Sequence, residues 1–103
     1  MPRKRASGPL LALRAAPALL FGQVDQLGLA LARQQQWPEA AAEFEAASDR
    51  QPTNAYAHYY AGMMHYRANR IDRMAVHFEQ FLKLAPEAPE RPEVLSIMRT
   101  LKR

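Results

Sequence analysis

The chain contains no cysteine. That excludes disulfides, thiolate metal sites, thiol nucleophiles and lipidation at cysteine, and it leaves the redox compartment open. Glycine is scarce, with 4 in 103 residues and no two together, so there is no glycine-rich loop to cradle a phosphate. Ser7, Ser48 and Ser96 have no nucleophile-elbow surroundings. Uncharged runs are short as well. Those at 6–13 and 15–24, on either side of Arg14, are below the length of a membrane span. A length of 103 residues admits one small domain and excludes barrels and doubly wound nucleotide folds. An enzyme is not expected, and neither is a cofactor.

Positive charge is abundant, but it sits at the ends. The formal net charge is +4, with Arg3, Lys4 and Arg5 opening the chain and Arg99, Lys102 and Arg103 closing it. Residues 6–98 then hold eight basic against ten acidic side chains, a net of about −2. Two basic tails do not make a groove for a polyanion, so nucleic acid is not an expected partner; association of the basic termini with nucleic acid or an anionic surface is the rival reading. The opening segment MPRKRASGPLLALRAAPALLFGQ has the charged start and apolar continuation of an export signal, interrupted by Arg14 and Pro17. Residues 1–21 are expected to be a basic, apolar segment, partly disordered or forming one packing helix over about 8–20. The expected location is cytoplasmic with no membrane partner. Export to the periplasm is the alternative if residues 1–18 act as a signal, and an exported or membrane-tethered assembly protein is the matching alternative function.

Against these absences stands a repeat. Shifting the chain by 34 residues pairs Gly28 with Gly62, Arg33 with Arg67, Ala41 with Ala75, Phe44 with Phe78, Glu45 with Glu79 and Pro52 with Pro86. A glycine, an aromatic and a proline recurring in order are the residue types that permit close helix approach, fill a core and stop a helix. The segments between them carry the helical period. Val24, Leu27 and Leu31 share one face of a helix over 23–34, and Pro38 suits the first turn of a second helix running to Pro52. In the next block Ala57, Ala61, Met64 and Ala68 form a stripe over 55–68, Asn69-Arg70 turn the chain, and Met74, Phe78, Phe81 and Leu82 form the answering stripe before Pro86. Pro92 and Glu93 then start a last helix over 92–102. The expected fold class is all-α: two helical hairpins, at 22–54 and 55–88, closed by a capping helix within 91–102.

These residues resemble the tetratricopeptide repeat family, whose pattern is W-x2-L-G-x2-Y, A-x3-F and P over 34 residues. Leu27, Gly28, Ala40, Phe44 and Pro52 fill its slots in the first block, with Val24 and Leu31 in the aromatic places. The second block keeps Gly62, Phe78 and Pro86, carries Ala61 for Leu, and departs at His58, His65 and Met74. The resemblance covers about residues 22–103. It implies an α-α superhelix whose first helices line a concave surface, and a function in binding proteins as an adaptor or scaffold. The carboxylate clamp of some family members, built of Lys and Asn, is absent, since the comparable places carry Asp25, Leu29 and Tyr60.

Packing needs place Ala61, Gly62 and His65 against the partner helix, and Ala57 and Met64 against the first hairpin. Tyr56, Tyr59, Met63 and Tyr66 then recur at i, i+3, i+7 and i+10 as an exposed aromatic stripe with Arg67 at its edge. Large rings with few rotors suit a groove for a peptide or helix of another protein. The candidate partner-binding residues are Tyr56, Tyr59, Tyr60, Met63, Tyr66 and Arg67, with Arg33, Leu29 and Asp25 on the shallower wall of the first block. Self-association over the same rings and cover by the N-terminal helix at 8–20 are the alternatives, because two hairpins are fewer than stacked repeats usually need. Arg33 and Arg67 also suit the last turns of their helices, where a cation meets the negative helix end. His58, His65 and His77 are expected to pack in a core or interface rather than to hold a metal. Glu39, Glu43 and Glu45 are read as the solvated side of a helix.

Overall fold

In a computed structural model, residues 25–101 are described and form five α-helices with no strand among them. They are α1 (Gln26–Arg33), α2 (Trp37–Arg50), α3 (Ala55–Arg67), α4 (Ile71–Leu84) and α5 (Arg91–Leu101). The expectations for residues 1–21, together with Val24 and the charges of Lys102 and Arg103, fall outside the described residues. None of the described helices is long and apolar enough to cross a membrane. The all-α fold class is as the sequence leads one to expect, with each helix packed on the next.

Local chemistry sets the helix ends, and the two blocks repeat the turns and the stops, whereas the N-caps of their first helices stand at different places in the repeat. Asp25 caps α1 by accepting the Gly28 N–H at 3.1 Å, and Asn54 caps α3 by accepting the N–H groups of Tyr56 and Ala57 at 3.1 and 3.4 Å. Both first helices end in the same left-handed turn. Gln35 and Asn69 have φ of 60° and 64°, and the next N–H in each turn reaches back to the third-last helical carbonyl, Gln36 to Leu31 at 2.9 Å and Arg70 to His65 at 2.7 Å. The second helices, α2 and α4, each finish one residue before a cap that precedes proline. The N–H of Gln51 bonds Ala47 C=O at 2.9 Å and that of Ala85 bonds Phe81 C=O at 2.8 Å, with Pro52 and Pro86 next in chain.

The core lies in two clusters along the stack. Ala40, Ala41 and Phe44 of α2 bury with Ala61 and Met64 of α3; Met74, Phe78 and Phe81 of α4 bury with Val94 of α5. Each buried Phe or Met contributes about 1.5–3 kcal/mol relative to exposure. Ala61 thus faces the first hairpin rather than α4, because the α2 surface opposite it is built of alanines that let two helices approach. Gly62 meets α4 as expected: a Cβ there would lie 2.4 Å from Phe78 Cδ1, and at Gly28 2.7 Å from Phe44 Cε2. Leu27 is a correction. Read as a core residue, it is 55% exposed, because among the described residues no layer precedes α1.

Val94 fills the open end of the second hairpin with no exposed surface, as a capping helix requires. The register of that cap is again one repeat. The hydroxyl of Tyr56 donates to Glu90 Oε1 at 2.7 Å and that of Tyr59 to Glu93 Oε1 at 3.0 Å, each pair 34 residues apart.

Candidate functional site

The aromatic row of α3 arises from a helix with no charged residue before its last turn. Tyr56 and Tyr59 meet edge to face at 6.0 Å between ring centroids, and Tyr59 and Tyr60 at 5.3 Å. Behind them, Tyr56 and Tyr59 lean on Phe81 at 5.6 and 5.2 Å, and Tyr60 stacks on Phe44 at 5.1 Å. Met63 packs against both core clusters. The exposed stripe is therefore a half-buried one: Tyr56, Tyr59, Tyr60 and Met63 are partly covered, and only Tyr66, at 37%, is exposed. The physical reason is the capping segment, whose Glu90 and Glu93 approach the first two hydroxyls. Burial and then the Glu90 hydrogen bond push the Tyr56 phenol up to about 12, and burial with Glu93 raises Tyr59 further still, so both stay protonated donors.

The other residues of the expected groove divide. Leu29 packs partly buried on the first cluster, and Arg33 is exposed at the end of α1. Arg67, also exposed, places its guanidinium 5.2 Å from the Trp37 ring centroid, a cation–π contact as well as a place at a helix C-terminus. Asp25 is turned inward, and its Oδ2 is buried without a hydrogen-bond partner. One oxygen caps α1 and the other lies 3.8 Å from Arg50, while a hydrogen bond with Asp25 raises the neighbouring Glu43 carboxyl.

A second cluster lies where α2, α3 and α4 meet. His65, fully buried on α3, donates from Nε2 to Glu45 Oε1 of α2 at 2.8 Å, and His77 of α4 places its Nε2 3.9 Å from the same oxygen. His77 and His58 approach through their Nδ1 atoms at 3.2 Å, and His58 Nε2 donates to Pro52 C=O at 2.9 Å. All three histidines are buried, as core packing predicts. Burial lowers the His77 pKa, with His58 and His65 acting the same way and Glu45 and Asp49 opposing them. Burial pushes Glu45 up, but the His65 hydrogen bond and the charges of His65, His77 and Arg73 outweigh it and hold the carboxyl below its usual value. Glu45 is thus no solvated helix side: it is half-buried and bonded, and it borders a pocket of about 300 Å³ shared with Ala42, Ala46, Asp49, His65, Arg70 and Arg73.

No family model, curated protein or solved structure matches this chain. The site is therefore defined by its own geometry. The row of tyrosines was visible in the helical period of one segment; the Glu45 cluster was not, because Glu45 lies 20 residues from His65 and on a different helix. Its sole local sign was the histidine spacing on α3, which puts His58 and His65 on one face.

Proposed function

We propose that the chain is a protein–protein interaction module, an adaptor or scaffold that binds a peptide or helix of another protein along the α3 face. The observation that carries this reading is the contiguous row Tyr56, Tyr59 and Tyr60, half-buried and braced from behind by Phe44 and Phe81, with Met63 and the exposed Tyr66 further along the helix. Braced rings have little rotamer freedom left to lose, so a partner covering them gains apolar burial at small entropic cost. Leu29 and Arg33 of α1 and Arg67 of α3 supply an apolar wall and two cations for acidic groups of the partner. Matching turns, glycine crossings and proline stops one repeat apart support the tetratricopeptide likeness, whose mode of action is binding rather than catalysis.

Affinity capture with the wild type and with Tyr59→Ala and Tyr66→Ala tests the reading, with circular dichroism on each variant. Tyr66 is the exposed ring of the row, so its truncation tests the surface with the least loss of buried area. Loss of the same partner in both variants at unchanged helicity is expected; retention in both refutes the α3 face.

A further inference from the structure

We propose that Glu45, His65 and His77 form a binding site for a divalent transition-metal ion of the zinc class, with His58 holding His77 in the ligating tautomer. One ligating atom from each of the three residues lies within 4.8 Å of the others. Tetrahedral coordination with bonds of about 2.05 Å needs donors about 3.3 Å apart. The Glu45 oxygen is 2.8 Å from His65 Nε2 and 3.9 Å from His77 Nε2, each about half an ångström from that value, and the two imidazole nitrogens, held within 4.8 Å, draw together around the ion. Glu45 can follow the ion, since its side chain is 41% exposed, whereas the two imidazoles are buried.

The hydrogen-bond chain supplies an independent reason. A carbonyl only accepts, so the 2.9 Å contact to Pro52 puts the proton of neutral His58 on Nε2 and leaves its Nδ1 as an acceptor. His77 must then donate from Nδ1 across the 3.2 Å contact, which leaves His77 Nε2 as a bare lone pair. That lone pair faces a carboxylate oxygen 3.9 Å away, a pair of acceptors that a cation would bridge. Fixing the rear nitrogen of a ligating imidazole is what an outer-shell partner does at a metal site. His65 is free to follow. Its Nδ1 is buried without a hydrogen-bond partner, so moving its proton there breaks no bond except the one to Glu45 that the metal would replace. Two imidazoles and a carboxylate are the donor set of several zinc centres, and a fourth position has access through the pocket bordered by Glu45 and His65. Around that pocket Asp49 and Glu45 offset Arg70 and Arg73, so the surroundings carry no net positive charge to repel the ion.

The test is titration of the chelator-stripped, tag-free full chain with zinc chloride by calorimetry, with thermal melts at each metal level. Saturation at one zinc per chain and a melting point that rises with zinc are expected. Glu45→Gln should weaken binding at least about ten-fold, and His58→Phe, which removes no ligand, by about 10–100-fold. If the His58 variant does not fold, cobalt(II) in the wild type and in Glu45→Gln gives a second readout: visible ligand-field absorption that is strong in the former and lost in the latter. Absence of saturable zinc binding, or an affinity that Glu45→Gln leaves unchanged, overturns the site.

Discussion

A methyl group at Gly62 would stand 2.4 Å from Cδ1 and 2.5 Å from Cε1 of Phe78, inside any contact that real atoms adopt. Phe78 has no exposed surface and lies among Met74, Phe81 and Val94, so the ring cannot swing aside without displacing the layer that α5 closes. At Gly28 the matching contact is 2.7 Å to the far edge of Phe44, a smaller overlap. Gly62→Ala is therefore expected to lower stability by about 1–3 kcal/mol through overpacking, despite the better helix propensity of alanine, and by more than Gly28→Ala. Urea unfolding of the two variants checks both the sign and the order. Equal midpoints for wild type and Gly62→Ala would mean that α3 and α4 do not cross there.

The turns offer the opposite sign. Gln35 holds φ at 60°, in the left-handed region where a β-carbon costs about 1–2 kcal/mol, and its side chain is exposed. Gln35→Gly is expected to raise stability by about 1 kcal/mol. Asn69, at 64°, already has the side chain that tolerates this conformation, so Asn69→Ala should lower stability by a similar amount. Thermal melts that move both variants the same way would contradict the shared turn geometry.

The cap is tied to the aromatic face by the Tyr59 hydroxyl, which bonds Glu93 at 3.0 Å, and the Tyr56 hydroxyl, which bonds Glu90 at 2.7 Å. A hydrogen bond to a charged group contributes roughly 1.5–3 kcal/mol when shielded and less at an exposed position such as Glu93. The variant Tyr59→Phe keeps the ring stack and removes only the bond. It should speed amide exchange in residues 91–101 while leaving α2 and α3 protected. Uniform exchange across all helices would show that the bond does not hold the cap.

How much of this was legible in the sequence follows from which partners are local. Turns and stops repeat because each is set by residues within five positions, and the 34-residue shift exposes the stops in Pro52 and Pro86. The glycine–phenylalanine crossings were legible for the same reason, since both copies carry the pair. What periodicity cannot give is which side of an apolar stripe has a neighbour. Leu27 lies on the correct face of its helix and is exposed, whereas Tyr56 and Tyr59 are half-covered by a segment one whole repeat later. Glu45 shows the same limit. Its own helix presents it among polar neighbours, and its histidine partners belong to two other helices.

Acid should loosen the fold through the same cluster. His77 faces Glu45 and Asp49 of α2, His58 and His65 of α3, and Arg73 on its own helix; burial dominates, and its pKa falls below the ordinary 6.5. The unfolded chain then takes up a proton near pH 6.5 that the folded chain resists, so stability is full above that pH and declines as pH drops below it, by no more than about 1.4 kcal/mol per pH unit for one proton. Glu45, with its carboxyl lowered from 4.5, acts in the same direction in a more acidic window: its contribution is present above pH 4.5 and is lost as pH falls through the folded value. Urea midpoints in the presence of a chelator, at pH 7.5, 6.5 and 5.5, should stay level over the first interval and fall over the second. Replacing the ring by His77→Gln should flatten the second interval, because the amide does not titrate. Identical midpoints for the wild type at pH 7.5 and 5.5 would remove His77 as a buried neutral imidazole.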